Sequence, residues 1–415
     1  MVRVLGAVGA FLLAVALPAA GQETAVEPIK TIEIGKNREF RVNGKPFFPT
    51  MSWAQSPKKY AMLTQAAGFN THVGNADPNA AAAVGCYAVS DFKEAWVGNA
   101  HLLGWLHGDE PDMARKDANN KSLPAWPRRT PAELAVTYQK IKDADKTRPV
   151  FVTFTGSFTQ EEKAYDDATR AKIYPDFVKS ADVVGFDIYP IYGSGHACHL
   201  DWVARGVTQL LELGGPKRPL YAWIETSKGS KWMTAEKQPE VLPMHTRCEV
   251  WMAIIRGATA IGYFTHAWRP PPETSFAPKP EMQKEMKRLN AQITRLSAAI
   301  LADPAAAKVE MKLAGEGAEL NCHCKATQAD MALYIFAQNI DLGEGREKLA
   351  AGQAPRAPGG DIAPRAGKAT IKVQGLKAGT KIDVVDEGRT ITADDGQFSD
   401  DFAPLAEHVY EFSAK

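Results

Sequence analysis

The chain lacks any internal apolar run of about 18 residues, the length a membrane-spanning helix requires. It also lacks a charge bias: 49 Lys and Arg against 48 Asp and Glu leave a formal net charge of +1. That balance gives no electrostatic reason to bind nucleic acid or an anionic membrane. Cysteines are few and odd in number, five in 415 residues, so no disulfide framework is expected. No internal repeat stands out, and no glycine-rich nucleotide turn follows the first strand candidate. Trp53-Ala54-Gln55-Ser56-Pro57 stands there instead. No cofactor is implied. What is present is an ordinary globular composition, 45% hydrophobic and 23% charged, with nine Trp and eleven Tyr. Those rings fill cores, and they also stack on the apolar faces of sugars.

The N-terminus reads as an export signal over residues 1–21. Arg3 supplies the positive start, Leu5 to Leu17 the apolar stretch and Pro18-Ala19-Ala20-Gly21 the small-residue cleavage region. A mature chain starting near Gln22, periplasmic or extracellular, is expected. Two cysteine–histidine clusters look like metal fragments. In Cys322-His323-Cys324, strand alternation turns both thiols to one face and His323 to the other, so the three cannot share an ion. His196-Ala197-Cys198-His199 falls in a loop with no two further ligands in view, and solvated loop histidines are expected. No metal site is assigned.

Between residues 46 and 303 apolar strand candidates alternate with helix candidates. The strands are 46–54, 69–75, 86–91, 102–110, 149–156, 181–192, 219–226 and 259–268. Most are continuous apolar runs, as strands buried on both faces of a parallel sheet should be. Ser56-Pro57 and Thr130-Pro131-Ala132-Glu133 are helix starts, and 200–213, 245–257 and 281–301 also read as helices. Two short helices are expected at 79–84 and 93–100. Eight strands with intervening helices predict a (β/α)8 TIM barrel, an α/β fold. Residues 22–45 read as an N-terminal extension with a hairpin. From about 304 to 415 short alternating runs separated by Gly, Asp and Asn predict a small antiparallel β-sandwich, with an exposed loop at 342–368.

In a TIM barrel the chemistry sits where the strands end. Glu110 closes the fourth strand candidate and Glu225 the seventh, which would aim two poorly hydrated carboxylates into one mouth from opposite sides. Asn75, Asp91, Asp187, Tyr189 and His266 fall on the same rim, with Trp53, Trp223 and Trp268 close by. Long loops at 112–129, with Trp126, and 269–280 would wall a cleft. Arg128, Arg129, Lys228 and Lys231 are available on the rim loops.

Carboxylates after strands four and seven resemble the clan A glycoside hydrolases, the retaining TIM-barrel group of β-galactosidases, cellulases and mannanases. The likeness extends to Asn43-Gly44-Lys45-Pro46-Phe47-Phe48 before the first strand and Ala66-Ala67-Gly68-Phe69-Asn70-Thr71 after the first helix. It continues in Phe186-Asp187-Ile188-Tyr189-Pro190 and Tyr263-Phe264-Thr265-His266-Ala267-Trp268. The closing stretch from Asp395 to Phe412 looks like the accessory β-domain of many members.

The resemblance implies Glu110 as general acid/base and Glu225 as nucleophile, acting on a poly- or oligosaccharide. Tyr189 would orient Glu225 and Trp268 would floor the reacting sugar's subsite. Trp53, Asn75, Asp187 and His266 would bind substrate. One position departs from the pattern: Asp109 stands where the clan has Asn, so it accepts from a sugar hydroxyl but cannot donate. Two rivals remain, a catalytically silent carbohydrate-binding barrel and a metal-dependent hydrolase using rim Asp and His residues. The acidic run Asp109-Glu110-Pro111-Asp112 also reads as a turn or a calcium loop.

Overall fold

The computed structural model describes residues 26–116, 125–161, 164–214, 217–234, 236, 238–343 and 362–413. The export-signal reading of 1–21, and most of the loop expected at 342–368, lie outside the described residues.

Eight strands close into a parallel barrel in sequence order. They are β1 Thr50–Trp53, β2 Thr71–Val73, β3 Tyr87–Asp91, β4 Leu102–Leu106, β5 Val150–Thr155, β6 Val183–Asp187, β7 Leu220–Glu225 and β8 Ala260–Phe264. Strand β8 returns to β1 through Ile261↔Thr50 and Tyr263↔Ser52. Alternation along β7 shows how the apolar runs are used. Tyr221 and Trp223 enter the barrel interior with Met51, Val89 and Phe151. Leu220, Ala222 and Ile224 face the helices. Gly262 has to lack a side chain, because a Cβ there would lie 2.1 Å from the Trp223 ring.

The helices are α1 Tyr60–Ala67, α2 Pro78–Ala82, α3 Pro131–Ala144, α4 Asp167–Lys179, α5 Asp201–Gly214, α6 Pro243–Arg256 and α7 Pro280–Ile300. At α3 the expected capping box forms. Thr130 Oγ1 accepts from the Glu133 backbone N–H at 3.2 Å, and Glu133 accepts from that of Thr130 at 2.7 Å. Ser56 makes no side-chain cap, and a 3-10 turn, Pro57–Lys59, precedes α1. The helix expected at 93–100 is a single 3-10 turn, Glu94–Trp96. Helix α4 was not expected. Its interior Pro175 breaks the propensity signal, while Asp166 caps it by accepting from the Thr169 N–H at 2.6 Å.

The expected N-terminal hairpin is a three-stranded antiparallel sheet, Ile32–Ile34, Phe40–Val42 and Lys45–Phe47. It stops the barrel end where the strands begin: Phe40 stacks on Phe151 with ring centroids 5.7 Å apart. The C-terminal region is a six-stranded and a four-stranded antiparallel sheet, the expected sandwich. It packs on α6, where Trp251 stacks on Phe336 at 6.0 Å and Gln338 Nε2 donates to the Cys248 carbonyl at 3.0 Å. Alternation along Cys322–Ala329 acts as expected. His323 meets Gln338 at 2.8 Å on the barrel side, while Cys322 and Cys324 pack on the sandwich core. All five cysteines are free thiols. Among the described residues, no helix is long and apolar enough to cross a membrane.

Candidate active site

The fourth strand stops at Leu106, so Glu110 does not end it. It stands four residues further on, at φ +47°, a conformation that costs a non-glycine residue of order 1 kcal/mol unless its surroundings impose it. The surroundings do. Asp112, fully buried, accepts from the Thr155 N–H at 2.9 Å, the Thr155 hydroxyl at 3.0 Å and the Tyr174 hydroxyl at 2.6 Å. The Asp112 carbonyl accepts from the Tyr165 hydroxyl at 2.6 Å. Arg128 grips the other side of the loop, donating to the Asp109 carbonyl at 2.8 Å and to Glu110 Oε2 at 3.3 Å. Burial pushes the Asp112 carboxyl up to about 7 against the pull of its donors. Asp112 therefore anchors the loop that presents Glu110 and is no part of a calcium loop.

Glu110 and Asp187, the last residue of β6, both line the mouth and lie close enough for the Glu110 charge to act on the Asp187 carboxyl. Burial first, and the Glu110 charge second, hold the Asp187 carboxyl well above the usual range, so the proton of this pair rests on Asp187. Asp187 Oδ1 is buried with no partner. Asp109 shifts upward as well, through its enclosure and then through Glu110. Its side chain opens to water in the mouth, which damps the size of that shift.

These carboxyls lie at the junction of two open cavities. The first, of about 560 Å³, is lined by Trp53, Asp109, Glu110, Arg128, Asp187, Tyr189, Trp223, Lys231, Trp232, Phe264, His266, Trp268 and Glu273. Trp53 meets Trp223 edge to face at 5.2 Å, and the Trp223 indole N–H donates to Thr153 at 3.2 Å, which fixes the floor. Trp268 lies 5.4 Å from Phe264 and 6.0 Å from His266, and the Lys231 ammonium sits 4.9 Å over its ring. Burial lowers the His266 pKa, so its ring is neutral beside the Trp53 carbonyl at 3.2 Å. The Tyr189 hydroxyl is held neutral by burial and by the nearby carboxyls. The second cavity, of about 460 Å³, shares Glu110, Met113, Asp187, Tyr189 and Trp232 with the first.

Two expected site residues are elsewhere. Glu225 does end β7, but it is 0% exposed and lines neither cavity. Its carboxyl accepts from the backbone N–H groups of Ile191, at 2.9 Å, and Tyr192. Glu249 of α6, 0% exposed as well, lies close by, and its two carboxyl oxygens are buried with no hydrogen-bond donor. Burial raises both carboxyls, and two buried carboxyls this close persist only if one of them keeps a proton. The expected bond from Tyr189 to Glu225 is therefore replaced by backbone donors two and three residues further along the chain. The expectation that Glu225 faces Glu110 across the mouth fails on this geometry.

Asn75 is exposed outside the cavities, in a positive-φ turn where it accepts from the Lys93 ammonium at 2.7 Å. His196 and His199 are half-buried around a 3-10 turn instead of solvated, and His199 stacks on Trp202 at 4.0 Å. Among the described residues, no group of three His, Cys, Asp or Glu is placed to hold a metal ion. Sequence reasoning assigned no role to Glu273, Trp232 or Glu249. The first two lie in loops without a periodic signal, and Glu249 sits in the middle of a helix.

No protein-family model matches the sequence, and no curated protein matches it. Solved structures with the same architecture include one described as a glycoside hydrolase, at TM-score 0.53 and 12% identity, covering 92% of this chain and 96% of that one. Another is a glycoside hydrolase family 5 protein from Bacteroides vulgatus ATCC 8482, at TM-score 0.51 and 11% identity, covering 92% and 94%. At such identities the likeness is one of fold.

Proposed function

We propose that this chain is an exported glycoside hydrolase that cleaves O-glycosidic bonds of a poly- or oligosaccharide, with Glu110 and Asp187 as its working carboxyls. The observation that carries this reading is that Glu110 and Asp187 both line an aromatic-walled cleft and its neighbouring lobe. Such a pair supplies one proton and one negative charge to the same cleft, and glycosidic cleavage uses them on opposite sides of the scissile bond.

The resting proton on Asp187 passes to the leaving glycosidic oxygen. The Glu110 carboxylate, steadied by Arg128, faces the anomeric carbon and forms the glycosyl ester. Esterification removes the Glu110 charge, one of the causes that raise the Asp187 pKa. Asp187 can then take a proton from the water that hydrolyses the ester. A sugar entering the site has to lie between the two carboxyls. Retaining enzymes need a separation of about 5–5.5 Å and inverting ones about 6.5–9.5 Å. The smaller separation corresponds to retention of configuration, which is the expected outcome. Glu225 has no chemical step in this scheme. The neutral rings of Trp268, Trp53 and His266 offer stacking faces, and Asp109 accepts from a sugar hydroxyl.

A panel of aryl glycosides and polysaccharides tests the proposal. Native protein should hydrolyse at least one member, with the first product anomer retained by NMR. Glu110→Gln, which cannot form the glycosyl ester, should lose about 10⁴-fold in kcat. The sealed position of Glu225 favours one second reading, a carbohydrate-binding barrel without turnover. Calorimetric sugar binding with no hydrolysis of any substrate would select it.

A further inference from the structure

The Glu110–Asp187 pair stands at a waist between two lobes, not at the end of a pocket. Resting on the glycosidase reading above, we infer that the protein cuts inside an oligosaccharide chain, holding sugar units on both sides of Glu110, and that the second lobe takes a neutral sugar.

The two cavities, of about 560 and 460 Å³, share the same two carboxyls, and both open to solvent. Each alone has the size of a small-molecule site, roughly 300–1,000 Å³. A ligand that filled both would have to cross the carboxyls. An enzyme releasing single end units needs a blind end beside its acid, and among the described residues neither lobe has one.

The second lobe is also built as a binding site in its own right. Trp202, on the first turn of α5, lines it with His199 stacked behind at 4.0 Å, so the indole is held flat. Hydroxyls complete the wall: Thr155 and Ser157 lie 2.7 Å from each other, and the Ser194 hydroxyl donates to the Pro190 carbonyl. A flat apolar ring facing hydroxyl groups is complementary to a pyranose.

Charge separates the lobes. The first contains Arg128, Lys231, Asp109 and Glu273, whereas among the described residues the second is lined by no charged group beyond Glu110 and Asp187. A uronate or sulfated unit in the second lobe would meet two carboxyls, with the nearby Arg128 already engaged by Glu110, so that lobe disfavours anionic sugars.

The test uses reduced hexasaccharides of glucose, mannose, xylose, galactose and galacturonic acid, together with the matching glycosyl fluorides. A fluoride leaving group is a single atom and fills no second lobe. Native protein should release di- and trisaccharides from a neutral hexasaccharide before any monosaccharide. In Trp202→Ala the ratio of kcat/KM on that hexasaccharide to kcat/KM on the fluoride should fall at least tenfold. Ala114→Trp, which fills the same lobe from its rim, should lower this ratio too and covers the case in which Trp202→Ala fails to fold. Release of single end sugars only, an unchanged ratio in both variants, or preference for the galacturonic acid chain overturns the inference while leaving the glycosidase reading intact. No hydrolysis of chains or fluorides overturns both.

Discussion

Two clusters of carboxyl groups lie within a few residues of the barrel's strand ends, and their surroundings separate them. Around Glu110, Asp109 and Asp187 the groups face open cavities, with Arg128 donating to Glu110. Around Glu225, Glu249 closes off the carboxyl from one direction and the Ile191 and Tyr192 N–H groups from another, and nothing is exposed. Both clusters hold a proton that isolated carboxylates would have released, the first beside a ligand-sized space and the second inside the helix–sheet layer. A shifted carboxyl is therefore not by itself a catalytic one. Access decides the difference: chemistry needs the proton to leave, while a clamp needs it to stay.

Asp187→Asn should produce the largest break in this contrast. Asn can donate a hydrogen bond but releases no proton, so kcat on a substrate that needs leaving-group protonation should fall about 10²–10⁴-fold. Steady-state rates check it, with thermal unfolding to show that the fold survives. Equal loss on glycosyl fluorides with azide added, which need neither a leaving-group proton nor a base for the second step, would assign Asp187 to packing instead.

In the sealed cluster the expected effect is on stability. Glu225→Ala leaves two backbone donors without their partner, at a cost of about 3 kcal/mol by urea unfolding. A cost below about 1 kcal/mol would mean that the clamp holds nothing.

The smallest effect is a slope. With both carboxyls of the Glu225–Glu249 pair raised, the unfolded chain binds fewer protons than the folded one above the ordinary carboxylate pKa. The pair's contribution is complete below that pKa and is lost as pH rises through the raised values, by about 1.4 kcal/mol per pH unit for one proton. Glu249→Gln should flatten this part of the fall in urea midpoint between pH 5 and 8. An unchanged slope would assign it to the other raised carboxyls, Asp187, Asp109, Asp112, Glu407 and Asp91.

The barrel was legible because strands buried on both faces read as unbroken apolar runs, and because Thr130 and Glu133 spell out a helix start. The sandwich was legible from alternation, down to the opposite faces of Cys322 and His323. In the site, the neighbourhood was legible and the direction of the side chains was not. Glu225 follows the inward positions Tyr221 and Trp223, so strand parity aims it at the mouth. Its carboxyl instead lies near Glu249, a residue whose role depends on packing between α6 and β7. Glu110 lies beyond its strand in a bend imposed by Asp112, Tyr174 and Arg128, contacts across 15 to 62 residues of sequence that no local pattern announces. Asp187 ends β6 at the mouth, but its proximity to Glu110 arises across the barrel from a different strand, which no local pattern announces.

The central claim is that Glu110 and Asp187 do the chemistry while Glu225 is a clamp. It is tested most directly by kcat of Glu225→Gln on any hydrolysed substrate. Gln keeps an oxygen for the Ile191 and Tyr192 N–H groups but cannot form a glycosyl ester. The account predicts kcat within about tenfold of native protein, because the change touches no reacting atom. A loss of 10⁴-fold or more, about 5.5 kcal/mol, with an unchanged melting temperature would return Glu225 to the role of nucleophile and contradict it.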